Sequence, residues 1–169
     1  MPHDTFAQLL DAHQDYVTRL AYRLLGWQEA EVPDVVQEVF LAAYRNWPRF
    51  RGQSTPATWL TRITVNKCRN FLRKKALQRL ILRPWQTEPP AADNPTTDND
   101  ACHHVRHTVQ TLPAKLREVA VLRYLEEHST AETARILGIS VNAVNIRLHR
   151  ARSELKKRLT ESLENHPNE

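Results

Sequence analysis

The stretch of sequence that decides the fold is Ser129-Thr-Ala-Glu-Thr-Ala-Arg-Ile-Leu-Gly-Ile-Ser-Val-Asn-Ala-Val-Asn-Ile-Arg-Leu-His-Arg-Ala-Arg152. Ser129 and Glu132 have the spacing of a capping box, in which each side chain binds the other residue's free backbone N–H. Gly138 can take the left-handed conformation that ends a short helix, and Ser140 can cap the helix that follows. The stretch therefore predicts two helices joined by a tight turn, which is the helix-turn-helix arrangement.

The second of these helices has two contrasting faces. At about 100° per residue, one side carries four apolar residues that we expect to face the core, namely Val144, Leu148, Ala151 and Leu155. The opposite side carries groups able to contact base edges in a DNA groove, flanked by arginines suited to phosphates. These residues are Asn142, Asn145, Ile146, Arg147, His149, Arg150 and Arg152. An amphipathic helix whose polar face meets only water is the alternative interpretation.

A segment without helical periodicity precedes this unit. Residues 84–103 contain four prolines and four acidic residues but no lysine or arginine, which is typical of an extended linker. Downstream of it, Leu112-Pro113 marks the start of a further helix. We therefore expect a first module at residues 1–83, a flexible, acidic, Pro-rich linker at residues 84–103, and a second, helix-turn-helix module at residues 104–169.

The first module has the pattern of a small helix bundle. Apolar residues recur at helical spacing from Phe6 to Leu25, and Gly26 suits the end of that helix. A second helix is expected after Pro33, running to about Arg45. Thr55-Pro56, an N-cap followed by proline at the first helical position, starts a third helix that runs past Lys75. Because the chain has only 3 glycines, hairpins and bulges are disfavoured, and we expect an all-α protein.

Composition and charge narrow the class of protein. The 169 residues carry a net charge of +5, and residues 39–87 hold eleven basic side chains and no acidic one. Such a one-signed stretch indicates a polyanionic partner such as nucleic acid. No apolar run approaches the roughly 20 residues of a membrane span, and no secretory signal is evident. Cys68 and Cys102 cannot build a disulfide framework, so we expect a cytoplasmic protein.

Both modules carry motifs of one protein family. The first module contains Asp34-Val-Val-Gln-Glu-Val-Phe-Leu41, Phe50-Arg-Gly-Gln-Ser54 and Thr58-Trp-Leu-Thr-Arg-Ile63, followed by Asn66. The second contains Leu112-Pro113, Arg117-Glu-Val119, Leu122-Arg-Tyr124, Ile136-Leu-Gly-Ile-Ser-Val141 and Arg147-Leu-His-Arg-Ala-Arg152. In this order the motifs resemble the extracytoplasmic-function (ECF) group of bacterial RNA polymerase sigma factors. The resemblance implies an initiation factor that docks on core RNA polymerase, selects a promoter and assists DNA opening.

The resemblance also implies where each partner binds. The second helix would contact the polymerase through Asp34, Gln37, Glu38 and Phe40. A flipped base of the minus-ten element would enter a pocket with Trp59 at its floor, formed by Phe50, Arg51, Gly52, Gln53, Ser54 and Asn66. Phosphates of the opening DNA would bind Arg62, Lys67, Arg69, Arg73 and Lys74. The polar face of the last helix would read the minus-thirty-five element. Family members are usually held inactive by an anti-sigma factor, so we expect such a partner.

Several positions depart from the family's pattern. Gln53 stands where an acidic residue is common, and Asn70 where aspartate is common. Both changes remove negative charge beside the DNA, which would alter base preference or strengthen non-specific contact. Asn145 and Ile146 occupy positions that are often basic or small, so the promoter sequence cannot be copied from a relative.

The residues by themselves leave other functions open. A regulator that binds duplex DNA without polymerase could use the same helix-turn-helix, with the first module as a sensor or dimerisation domain. Cys102, His103, His104 and His107 could ligate zinc, but structural zinc sites usually show two separated ligand pairs. A metalloenzyme built on this cluster would lack paired carboxylates nearby, and the chain has no Gly-rich phosphate loop. We therefore expect no metal, no cofactor and no enzymatic activity.

Overall fold

The structure, a computed structural model, describes residues 2–27, 29–82 and 108–164, and these ranges contain helices and no strand. The first module contains α1 (Pro2–Leu24), α2 (Val32–Asn46) and α3 (Pro56–Leu82). The second contains α4 (Ala114–Ala120), which continues as a π-helical turn (Val121–Leu125), then α5 (Thr130–Leu137) and α6 (Val141–Glu164). Single 3-10 turns at Glu29–Glu31 and Trp47–Arg49 flank α2. The all-α fold class is confirmed.

Helix boundaries in the first module follow local signals. Pro33 lies in the first turn of α2, where its missing N–H removes no helical hydrogen bond. The hydroxyl of Thr55 accepts a hydrogen bond from the Thr58 amide at 3.2 Å and so caps α3, as predicted. The three helices pack around a core whose most buried members include Val17, Leu20, Val39, Leu60 and Val65.

The second module contains the predicted helix-turn-helix. Ser129 Oγ accepts from the Glu132 amide at 3.2 Å, and the Ser129 amide donates to Glu132 Oε2 at 2.8 Å, which completes the capping box. Hydrogen bonds from Ser129 lower the pKa of the Glu132 carboxyl, because they favour its charged form. Gly138 ends α5 in the left-handed region with φ of +67°. Ser140 Oγ accepts from the Ala143 amide at 3.1 Å and caps α6.

The two modules pack against each other. Buried apolar side chains form one continuous cluster from Phe6 in α1 to Leu148 in α6. Arg117, only 8% exposed, crosses the boundary and donates from Nε to the carbonyl of Leu24, at the end of α1, at 3.1 Å. Its Nη1 lies 3.0 Å from the place that a Cβ on Gly26 would occupy, and Gly26 has φ of +77°. Both space and backbone conformation therefore require glycine there.

Two predictions concern residues that the structure does not describe. The acidic linker, residues 84–103, and the candidate zinc ligands Cys102, His103, His104 and His107 all lie within residues 83–107. In the described ranges, no three His, Cys, Asp or Glu side chains come together in a way that could hold a metal ion. Among the described helices, none is both long and apolar enough to cross a membrane.

Candidate nucleic-acid interface

The outer face of α6 carries the side chains predicted to contact base edges. Val144, Leu148 and Ala151 are buried beneath the helix and Leu155 is half-buried, which confirms the face predicted to meet the core. Arg147 on the flank is half-buried. The other residues predicted to contact DNA are all exposed, namely Asn142, Asn145, Ile146, His149, Arg150 and Arg152. Amides, a guanidinium and one aliphatic side chain thus share a single surface, a combination that can meet both polar base edges and a thymine methyl.

Arg152, at the edge of this face, contacts Tyr124, which the sequence analysis quoted as part of a family motif without assigning it a role. Its Nε donates to the hydroxyl of Tyr124 at 2.6 Å, and its guanidinium carbon lies 5.5 Å from the centre of the Tyr124 ring. Because Nε is the only Arg152 nitrogen that bonds to a described residue, both terminal nitrogens keep donors that can bind a phosphate. Tyr124 therefore orders the side chain of Arg152 before any DNA arrives.

An aromatic and basic cleft opens beside the loop between α2 and α3. Phe50 stacks on Trp47 with ring centres 5.4 Å apart, and the Phe50 and Trp59 rings are 4.9 Å apart. The cleft measures about 460 Å³ and is lined by Arg49, Phe50, Arg51, Gln53, Ser54, Thr55, Thr58, Trp59, Arg62, Glu132 and Arg135. Its dimensions and mixed aromatic and cationic walls suit one extruded nucleotide.

Most residues predicted for the minus-ten pocket line this cleft, but two do not. Gly52 lies in the same loop with φ of +68°, and nothing lies within 4 Å of its would-be Cβ, so the backbone turn explains the glycine. Asn66 is exposed on α3 outside the lining residues. The last two lining residues, Glu132 and Arg135, belong to α5 of the second module, and no sequence pattern predicted them at this cleft.

A second cleft separates α2 from α3. It measures about 410 Å³ and is lined by Asp34, Val35, Glu38, Lys67, Asn70, Phe71, Arg73 and Lys74. Across it Lys67 Nζ donates to Glu38 Oε2 at 2.7 Å, and this hydrogen bond lowers the pKa of the Glu38 carboxyl. Predicted polymerase contacts therefore sit beside predicted phosphate contacts. Gln37 is exposed on α2, whereas Phe40 is half-buried and packs against the core.

Arg69 lies apart from both clefts and contacts the second module. Its Nε donates to Glu118 Oε1 at 2.8 Å and its Nη2 to Glu118 Oε2 at 2.7 Å, a two-pronged ion pair with a carboxylate. Hydrogen bonding to Glu118 raises the pKa of Arg69. The five basic residues assigned to phosphates thus occupy three places: Arg62 in the first cleft, Lys67, Arg73 and Lys74 in the second, and Arg69 at the module boundary.

Comparison with protein families finds two matches that divide the chain as the linker does. Residues 9–78 match the model for sigma-70 region 2, and residues 104–155 match the model for sigma-70 region 4. The chain is 31% identical over 168 residues to the ECF RNA polymerase sigma factor SigW of Bacillus subtilis, covering 92% of this chain and 89% of that protein. It is 32% identical over 166 residues to the ECF RNA polymerase sigma-E factor of Escherichia coli K12, covering 91% and 86%.

Two solved structures are similar over most of their length. The sigma factor RpoE of Bartonella quintana, in complex with the anti-sigma factor NepR, gives a TM-score of 0.76 at 22% identity, covering 92% of this chain and 97% of that one. CnrH, in complex with the cytosolic domain of CnrY, gives a TM-score of 0.66 at 32% identity, covering 94% and 90%. The first of these, at its low identity, supports the fold alone.

Proposed function

This chain belongs to the ECF group of RNA polymerase sigma factors, and from that premise we propose that residues 1–83 bind core polymerase and the minus-ten element while residues 104–169 read the minus-thirty-five element. Residues 84–103 join the two modules. The chain directs core polymerase to promoters, and in this proposal it acts by binding rather than by catalysing a reaction. Its site of action is the cytoplasm, where polymerase and promoter DNA are found.

The polymerase contact in this proposal is the outer face of α2. Asp34, Gln37 and Glu38 are exposed there, and the exposed fraction of the neighbouring Leu41 is 43%, large for an apolar side chain. Acidic, amide and apolar groups on one helix face are typical of a docking surface rather than of a solvated helix. Phe40 contributes through packing, because its ring is partly covered by the core and supports the helix position.

The minus-ten contact is the cleft around Phe50. Extruding a base from the stack costs a few kcal/mol, which an aromatic surface and polar partners at the pocket can offset. Phe50 and Trp59 supply the aromatic surface, and Gln53 and Ser54 supply donors and acceptors. Arg51 and Arg62 supply positive charge for the adjoining phosphates. This clustering of aromatic and cationic side chains is the observation that carries the proposal for the first module.

The minus-thirty-five contact is the exposed face of α6. Its base-reading groups are Asn142, Asn145, His149 and Arg150, with Ile146 available for a thymine methyl. Arg147 and Arg152 would bind the flanking phosphates. A regulator working without polymerase would need only this second module. Nothing favours that alternative, since the first module also matches a sigma-70 region.

An anti-sigma factor is the further partner in this proposal. Two structures with a similar fold were each solved with a partner: the sigma factor RpoE in complex with the anti-sigma factor NepR, and CnrH in complex with the cytosolic domain of CnrY. Here such an inhibitor would cover the α2 face at residues 37–40, the second module, or both. An inhibitor bound at the α2 face would prevent the free chain from binding polymerase, and one bound at the second module would prevent it from binding the promoter.

Run-off transcription with purified core polymerase tests the proposed function. Templates are genomic promoter fragments, including the one upstream of the chain's own coding sequence. We expect transcripts that depend on the added protein, and we expect Gln37→Ala to reduce core binding. The matched control Gln78→Ala, which removes an exposed amide from α3, should leave core binding unchanged. Absence of stimulated transcription from every fragment would contradict the proposal.

A further inference from the structure

We propose that Tyr124, Arg152 and Lys156 form one phosphate-binding surface on the second module, which follows a DNA strand beyond the bases that α6 reads. We call this surface the phosphate track. Tyr124 and Lys156 are its new members, and its ligand is the phosphodiester backbone of duplex DNA. The inference deepens the proposed reading of the minus-thirty-five element by α6, and it rests on that proposal.

The two cations of the phosphate track lie on the same side of α6. Arg152 and Lys156 are four residues apart, so their side chains leave the helix one turn from each other. Both side chains are exposed. Lys156 lies about 9 Å along the helix axis past Arg150, the last residue proposed to read a base. That position suits a contact with a backbone phosphate rather than with a base edge.

These two cations have no acidic partners. In the ranges that the structure describes, neither Arg152 nor Lys156 forms an ion pair with a carboxylate. Arg158, another cation of the same helix, is paired with Glu154 at 3.6 Å. An exposed, unpaired cation can bind a phosphate directly, whereas a paired cation must first lose its partner. The distribution of charge along α6 therefore favours the side of Arg152 and Lys156 for phosphates.

Tyr124 holds the first cation in place from outside the helix. Its hydroxyl accepts a hydrogen bond from Arg152 Nε at 2.6 Å, and the guanidinium carbon lies 5.5 Å from the centre of its ring. Nη1 and Nη2 of Arg152 remain for a two-pronged contact with a phosphate. An arginine that is already ordered loses less side-chain entropy on binding than a mobile one. Tyr124 is therefore a positioning residue for the phosphate contact of Arg152.

The backbone around Tyr124 departs from a regular α-helix. Val121–Leu125 form a π-helical turn, and the Glu126 amide donates to the Val121 carbonyl at 3.0 Å. Val121 and Leu122 are buried in this turn, whereas Tyr124 is 41% exposed and contacts α6. Single π-helical turns within helices are frequent at functional sites. Here the turn keeps two apolar side chains in the core while it presents a phenol to Arg152.

Binding of the full chain to a short duplex of random sequence, measured by fluorescence anisotropy over a range of salt concentrations, tests the phosphate track. The outer face of α6 is exposed in the full chain, and phosphates are the same in every sequence, so the probe requires no promoter. Arg152→Met and Lys156→Gln each remove one charge, and Lys115→Gln at an exposed position of α4 is the matched control. Tyr124→Phe removes only a hydroxyl. Its matched control is Tyr16→Phe, which removes a phenol hydroxyl that is bonded to Thr61 in the first module.

We expect Arg152→Met and Lys156→Gln each to reduce by about one the slope of the logarithm of the association constant against the logarithm of the salt concentration. Lys115→Gln should leave this slope unchanged. Tyr124→Phe should keep the slope but weaken binding about twofold to tenfold, the effect of one hydrogen bond. That loss should disappear when Arg152→Met is also present, and Tyr16→Phe should bind as the wild type does. Melting temperatures, followed by circular dichroism, should be the same for the three track variants and the wild type.

An unchanged slope in either Arg152→Met or Lys156→Gln would overturn the phosphate track, as would an equal reduction by Lys115→Gln. A loss from Tyr124→Phe that persists beside Arg152→Met would show that Tyr124 does not act through Arg152, and would overturn its positioning role. Because this assay contains neither promoter nor polymerase, its failure is distinguishable from a failure of the proposed function, which run-off transcription tests.

Discussion

Replacing Arg117 by methionine should destabilise the whole chain, because this one guanidinium joins both modules. It donates from Nε to the carbonyl of Leu24 at 3.1 Å, and from Nη1 to the carbonyls of Gln110 at 2.9 Å and Leu112 at 3.3 Å. Leu24 ends α1, so the positive charge also meets the negative end of that helix dipole. Methionine retains the apolar stem but supplies no donor.

The size of the effect follows from two opposing contributions. Each lost hydrogen bond to a charged group costs about 1.5–3 kcal/mol, and three carbonyls lose their donor together. Burial lowers the pKa of Arg117, which reflects the desolvation of its charge, and the variant no longer bears that desolvation cost of several kcal/mol. The three carbonyls remain at the buried boundary after the change and have no donor. The free energy lost with their hydrogen bonds therefore outweighs the desolvation cost that the variant avoids. We expect the free energy of unfolding to fall by about 2–4 kcal/mol.

Urea denaturation followed by far-UV circular dichroism measures this effect. Arg117→Lys should lie between the wild type and Arg117→Met, because it keeps the charge but cannot reach three separate carbonyls. The matched control is Lys115→Met, an exposed position on the same helix, for which we expect a change below about 0.5 kcal/mol. If Arg117→Met shifts the midpoint no further than Lys115→Met does, the reasoning from these three hydrogen bonds is wrong.

The remaining predictions separate stability from recognition. Leu148→Ala should lower the free energy of unfolding by about 2–5 kcal/mol through an internal cavity, and an unchanged melting temperature would show that the helix faces the other way. Arg150→Ala should not change the melting temperature, but in competition binding it should reduce the discrimination between promoter sequences by about 1–3 kcal/mol. If the variant keeps full selectivity, Arg150 does not read a base. Burial raises the pKa of the Cys68 thiol to about 12, so in a Cys102→Ser variant a thiol reagent at pH 8 should label the native chain far more slowly than the unfolded chain. Equal labelling rates would contradict that burial. Gly26→Ala should lower the free energy of unfolding, measured by urea denaturation, by about 1–3 kcal/mol. The reason is that φ at residue 26 is +77° and a guanidinium nitrogen of Arg117 lies 3.0 Å from the position of the new methyl group. An unchanged free energy would mean that the backbone and Arg117 adjust at no cost.

The packing of the modules alters how the basic stretch from residue 39 onwards is understood. The sequence showed one run of positive charge, but the structure divides it among two clefts and a module boundary. Lys67 forms an ion pair with Glu38 across the second cleft. A residue predicted to bind DNA phosphates is therefore paired with a residue predicted to bind polymerase. If α2 binds polymerase as proposed, that binding should directly disturb Lys67, a side chain that we propose contacts DNA.

Helices, turns and the orientation of α6 could be predicted from the sequence because they depend on near neighbours. The capping box joins Ser129 to a residue three positions away, and Thr55 caps its helix over the same distance. Gly138 acts through its own backbone dihedrals. The buried face of α6 repeats with the helical period, so Val144 and its partners were identified by spacing alone.

Only the tertiary structure decided which charges meet. Arg69 and Glu118 are 49 residues apart, Arg23 and Glu126 are 103 apart, and the Tyr124 hydroxyl meets Arg152 across 28 residues. No periodicity relates such positions, because their distance depends on how whole helices pack once their apolar faces are buried. Local hydrogen bonds and helical periodicity depend only on the order of residues along the chain. Pairing between modules depends on the three-dimensional arrangement that hydrophobic burial imposes, and this arrangement decides which arginines form ion pairs between the modules.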